Sequence, residues 1–116
     1  MSKFEDVVKQ DTPRIVVMFK REGDKELYQW GMVGTMPILT AIGAIARVQY
    51  ELVSMHTFNE CPESALVIAW DSSTNTHIWF IHPDMPVDSL VGMMETIKVT
   101  LTSTYLARQA AAQQII

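Results

Sequence analysis

The sequence predicts an α+β fold: a two-layer sandwich from a tandem strand-strand-helix repeat, with a four-stranded antiparallel sheet carrying two long helices on one face. Three observations lead to it. Displacing the chain by 49 residues lays Trp30-Gly31-Met32-Val33-Gly34-Thr35-Met36-Pro37 over Trp79-Phe80-Ile81-His82-Pro83-Asp84-Met85-Pro86, with five identities in the 23 positions from Trp30 to Leu52. Each copy is preceded by an apolar run, Ile15 to Phe19 and Leu66 to Trp70. Each is followed by apolar residues three and four apart, the spacing of one helix face. An internal repeat decides architecture ahead of any other reading. Here it implies one domain of 116 residues, with repeat units at about 14–56 and about 65–114.

Ser2 to Gln10 reads as a short polar helix with Phe4, Val7 and Val8 on its apolar side, stopped by Asp11-Thr12-Pro13. From Arg14, Ile15, Val17 and Phe19 alternate with Val16, Met18 and Lys20 as in a strand. The polar, glycine-bearing stretch Arg21 to Lys25 then turns the chain into a second strand, Glu26 to Met32. The second unit repeats this with Ala65 to Asp71, a turn at Ser72 to Asn75, and Thr76 to His82.

Thr35 and Asp84 occupy equivalent places before the helices, where a side-chain oxygen can cap, and Pro37 and Pro86 fall in the expected first turns. Ile38, Ile42, Ile45, Val48, Leu52 and Met55 form one stripe from Pro37 to about His56; Leu90, Met94, Ile97, Leu101 and Tyr105 form the other. The second helix extends from Pro86 to about Gln114, about 40 Å at 1.5 Å per residue, and should overhang the sheet. Thr57 to Ser64, between the units, reads as a loop.

A sheet covered on one side only should be polar on the other. Tyr28, Trp30 and Met32 alternate with Leu27, Gln29 and Gly31, and Trp79 and Ile81 alternate with Ile78, Phe80 and His82, so neither side is clearly polar. A second subunit, the N-terminal helix or a ligand is expected to cover part of the second face. Composition agrees: 48% of residues are hydrophobic and 19% charged, which leans toward apolar surface beyond one monomer's needs. A homo-oligomer is therefore expected.

The net charge is −4 and the nine basic residues are scattered, which argues against nucleic-acid binding, since phosphate contact needs clustered Lys and Arg. Cys61 is the only cysteine, so no internal disulfide can form, and a cytoplasmic setting is the expectation. The first residues lack the apolar core of a signal peptide. The longest weakly polar stretch, Gly31 to Ala46, is too short and too polar to span a bilayer. No membrane association is expected.

Chemistry-bearing patterns are sparse. His82-Pro83-Asp84 matches the tripeptide that J-domain co-chaperones present in a loop between two helices; here it follows a strand in an acidic chain and reads as a strand end, a turn and a cap. His56, Cys61, His77 and His82 do not show the paired short spacing of a zinc site, and His77 and His82 would point to opposite strand faces, so no metal is expected. No nucleophile motif surrounds Cys61 or any serine, and no catalytic residue is assigned. Asp84 and Asp88 suit a helix start, where the dipole favours negative charge.

Gly31-Met32-Val33-Gly34 stands where phosphate loops occur but lacks both glycine-rich signatures. If an anion binds, it should do so beside the first unit, with Arg47, Lys20 and Arg108 as charge partners and Tyr28, Trp30 or Trp79 as stacking surfaces. The sequence thus favours a non-enzymatic binding protein acting as a homo-oligomer, with contacts through an apolar sheet face and the long C-terminal helix. The alternative is a small-ligand-binding or sequestering protein for a nucleotide-like anion, with its pocket at a subunit seam; a small enzyme without a recognisable motif stands third. No cofactor is implied.

Overall fold

The computed structural model describes residues 3–54 and 59–114. It is α+β, with the order α1 (Lys3–Val7), β1 (Arg14–Glu22), β2 (Lys25–Val33), α2 (Ile38–Ser54), β3 (Asn59–Glu60), β4 (Ala65–Asp71), β5 (Thr76–Ile81) and α3 (Val87–Gln114). The strands form one sheet in the order β2-β1-β4-β5-β3.

β1 and β2 pair antiparallel along their whole length, closed by the two-residue turn Gly23-Asp24 between Glu22 and Lys25. Gly23 has φ +60° there, which glycine adopts without a Cβ penalty. β1 pairs antiparallel with β4, from Arg14 opposite Ala69 to Met18 opposite Ala65. β4 pairs antiparallel with β5. In that hairpin turn Asp71 Oδ1 accepts bonds from the Ser73 amide (3.0 Å) and hydroxyl (2.7 Å), and Asn75 carries the positive φ. Ala65 to Ala69 are all buried, as expected of a central strand covered on both faces.

The expected four-stranded antiparallel sheet is corrected in one respect: a fifth, two-residue strand makes the sheet mixed. β3 runs parallel to β5, with Asn59 opposite Phe80 and Glu60 opposite Ile81. Hydrogen bonds hold it, from the Cys61 amide to the Ile81 carbonyl (3.0 Å) and from the Asn59 side-chain Nδ2 to the Trp79 carbonyl (3.1 Å). A strand this short has no side-chain period to betray it.

α2 and α3 cover one face. Ile15, Val17, Leu66, Ile68, Trp79 and Ile81 from the sheet meet the two helices in the main core. On the other face α1 sets Phe4, Val7 and Val8 over Val16, Val67, Ile78 and Phe80, with Cys61 and Ala65 in the same cluster. The rings of Phe4 and Phe80 meet edge to face at 5.2 Å. α1 therefore covers the β4–β5 half of this second face. Met18, Leu27 and Val33, on the β1–β2 half, stay exposed.

Both long helices begin differently from the expectation. The first intrahelical bonds run from the Ala41 amide to the Pro37 carbonyl and from the Leu90 amide to the Pro86 carbonyl, 3.0 Å each. The prolines thus hold the cap position, and Thr35 and Asp84 lie two residues too early to cap. Met36 and Met85, just before the prolines, are buried in one core cluster with Ala41 and Leu90. This is the spacing of a hydrophobic staple, so apolar burial sets the helix start. The end of the first expected stripe, Met55 and His56, lies outside the described residues.

Candidate functional site

Within one chain, the residues expected to bind a ligand fall into separate places, with Trp79 and Arg47 alone sharing a partner. Tyr28 and Trp30 sit half-buried on β2 with their side chains toward the helices. The Tyr28 hydroxyl lies 2.7 Å from Ser89 Oγ on α3, and Ser89 itself donates to the Pro86 carbonyl at 3.3 Å, leaving Tyr28 as the donor in the first bond. Burial pushes the Tyr28 phenol above its ordinary range. Trp30 packs against the main core.

Trp79 and Arg47 are brought together by a residue the sequence did not single out. Trp79 Nε1–H donates to Glu51 Oε2 at 2.6 Å, and Arg47 Nε–H donates to Glu51 Oε1 at 3.0 Å. The i, i+4 spacing of Arg47 and Glu51 in α2 was the only available signal. The carboxylate therefore ties α2 to β5 and engages Nε of the Arg47 guanidinium. Arg108 is exposed on the overhanging part of α3. Gln49 of α2 bonds the Val91 carbonyl and Glu95, which sets the near end of α3 beside Arg47; Arg108, thirteen residues beyond Glu95, is about 20 Å further along the helix. Within one chain, one small anion cannot bridge both arginines.

His77, on β5, completes this cluster. Its Nε2 is buried and has no hydrogen-bond partner among the described residues. Burial, and then the nearby Arg47 charge, hold the imidazole below its usual range. The sign follows from linkage: the unfolded chain takes the proton more readily, so stability is full above about pH 6.5 and falls as the pH drops below it. Thermal unfolding between pH 7.5 and 5.5 should show a smaller loss for His77→Phe than for wild type; equal losses would remove His77 as the cause.

Other candidates have structural explanations. Gly31 belongs to β2, so the segment before α2 keeps only Gly34 of the glycine pair. Gly34 has φ +76°, and a Cβ there would lie 3.1 Å from Pro13 Cα, so close backbone approach accounts for it. Burial pushes the Cys61 thiol up, against a thiolate role. His82 Nδ1 accepts the Asp84 amide at 3.1 Å and the His82 carbonyl accepts the Met85 amide, so His82-Pro83-Asp84 is a turn. Among the described residues no three His, Cys, Asp or Glu side chains are grouped to hold a metal ion, and no helix is long and apolar enough to cross a membrane.

What remains is surface. On the uncovered half of the second sheet face, Met18, Leu27 and Ala65 line a groove of about 720 Å³ edged by Lys20, Gln29 and Glu63. From Thr102 to Gln113 only Thr104 and Tyr105 are even half-buried. No protein-family model, curated protein or solved structure matches the chain.

Proposed function

We propose that the protein is a non-enzymatic binding module that works as a homo-oligomer in the cytoplasm, with contacts through the open β1–β2 sheet face and the long C-terminal helix. The observation that carries this reading is the end of α3, which is exposed from Leu106 to Gln113. Helices in water draw most of their stability from packing an apolar face, and here the chain supplies little to pack against. The exposed Met18, Leu27 and Val33 on the sheet face support the same reading.

The architecture fits a duplicated strand-strand-helix unit. Positions 49 apart share burial: Met36 with Met85, Ile45 with Met94, Val48 with Ile97 and Leu52 with Leu101. The strand order β2-β1-β4-β5 is symmetric about the β1–β4 pair. α1, β3 and the additional length of α3 have no counterpart in the other unit.

The second reading, a binder of a small nucleotide-like anion at a subunit seam, draws on the unpartnered His77 Nε2 beside Arg47. Native mass spectrometry with sedimentation at micromolar concentration tests both readings. A dimer or larger species without a retained small molecule is the expected result. A compact monomer at every concentration would overturn the oligomer, and a retained anion would favour the second reading.

A further inference from the structure

α2 and α3 each carry a second stripe, on the side turned away from the sheet. On α2 it is Leu39, Gly43, Ala46, Tyr50 and Val53, four and three residues apart in alternation, and all are exposed. On α3 it is Gly92, Thr96, Val99, Ser103, Leu106 and Ala110, with the same spacing and the same exposure. At 100° per residue, the stripes lie about 150° and about 190° round their helices from the core positions, which are Ala41, Ile45, Val48 and Leu52 on α2 and Leu90, Met94, Ile97 and Leu101 on α3. Neither stripe contains a charge. This alternation of three and four is the seam spacing by which helices pack on other helices.

Five of the large apolar side chains that the structure leaves exposed are on these stripes: Leu39, Tyr50, Val53, Val99 and Leu106, each more than half open to solvent. Leu106 continues the outer stripe into the overhang, so the overhang's apolar side faces away from its own sheet. Gly43 and Gly92 add an independent point. A glycine inside a helix costs about 0.5–1 kcal/mol relative to alanine, yet a Cβ at either position would meet nothing within 4 Å. Nothing inside the chain requires a glycine there, whereas close approach of another helix would.

The polar groups on this surface are also largely satisfied. Thr96, Thr100 and Thr104 donate their hydroxyls to the carbonyls four residues earlier, at 3.0–3.3 Å, and Ser54 does so to Tyr50. A partner would not leave these hydroxyl donors stranded.

We propose that a second copy of the chain packs its α2–α3 layer face to face on this one, making a four-helix layer between two sheets. This rests on the homo-oligomer reading and names the surface, α2 included. The size fits: two helices about 10 Å across, one of 17 and one of 28 residues, present a footprint of about 700 Å², close to the roughly 800 Å² each partner contributes to a standard stable interface. A second copy is the occupant because it brings the same uncharged stripe, while a membrane surface would call for a basic rim. The helix layer offers Arg47, Lys98 and Arg108 against Glu51, Asp88 and Glu95, and four of these six are already paired within the layer.

The test uses two double variants of the full chain, read by sedimentation equilibrium with circular dichroism as the check on folding. Tyr50→Glu with Val99→Glu places charges at exposed positions and should leave the fold intact while weakening association by at least about 100-fold. Gly43→Leu with Gly92→Leu should keep or raise helix content yet weaken association at least about 10-fold, because the added side chains occupy the contact. Wild-type association in both variants would overturn the helix-layer contact. If Leu27→Glu on the sheet face then dissociated the oligomer, the broader reading would survive without it. A monomeric wild type would overturn both.

Discussion

Phe80→Ala should lower the free energy of unfolding by about 3–5 kcal/mol, the range for truncating a buried phenylalanine. Phe80 is fully buried on the side of the sheet that α1 covers, and its ring is met edge-on by Phe4 at 5.2 Å. The cavity would open between a central hairpin and a helix of only five residues. Urea unfolding monitored by tryptophan fluorescence gives the number directly. A loss below about 1 kcal/mol would mean that α1 does not hold its place over Phe80 in solution, because an uncovered ring has far less burial to lose.

Trp79→Ser should cost a similar amount, about 3–5 kcal/mol, by a different route. Trp79 is 8% exposed on the opposite sheet face and ends in the 2.6 Å bond to Glu51. Serine would remove the indole and leave the carboxylate without that donor. Trp79→Phe separates the two effects: most of the apolar burial returns, and the remaining deficit measures the bond. Hydrogen bonds to charged groups contribute about 1.5–3 kcal/mol, and the partial exposure of Glu51 places this one at the lower end. Equal unfolding midpoints for wild type and Trp79→Phe would show that the bond adds nothing.

The strands were legible because alternation is local. Ile15, Val17 and Phe19 declare one face of β1 without reference to the rest of the chain, and the apolar spacing from Leu90 to Tyr105 declares α3 in the same way. The ambiguity of the second sheet face was legible too: Ile78 and Phe80 are apolar because α1 covers them, and Leu27 is apolar but left open. The helix starts were misread because Thr35 and Asp84 have the chemistry of caps, whereas buried Met36 and Met85 fix where each helix begins.

β3 escaped notice because two residues cannot display a period. In the candidate site, Arg47 and Trp79 were each visible as residue types, but Glu51, which joins them, looked like any surface carboxylate. Its partner on β5 is 28 residues away, and no pattern in one sequence reports a contact at that distance.

The two helices are each fastened to the strands of the other unit: α2 to β5 through Glu51 and Trp79, α3 to β2 through Ser89 and Tyr28. The second of these bonds closes a span of 61 residues, and Gln49 to Val91 closes 42. Each hairpin therefore lacks its bond to the other unit's helix until the other half of the chain has been made and has returned to it. Loop closure precedes the contacts that reward it, and such long-range contacts form more slowly than helices or hairpins. During synthesis the first hairpin and α2 emerge together but wait for β4, β5 and α3, and for that interval Trp30 and the inner side of α2 stand without their final neighbours. The bonds that join the two halves therefore form only when both are present.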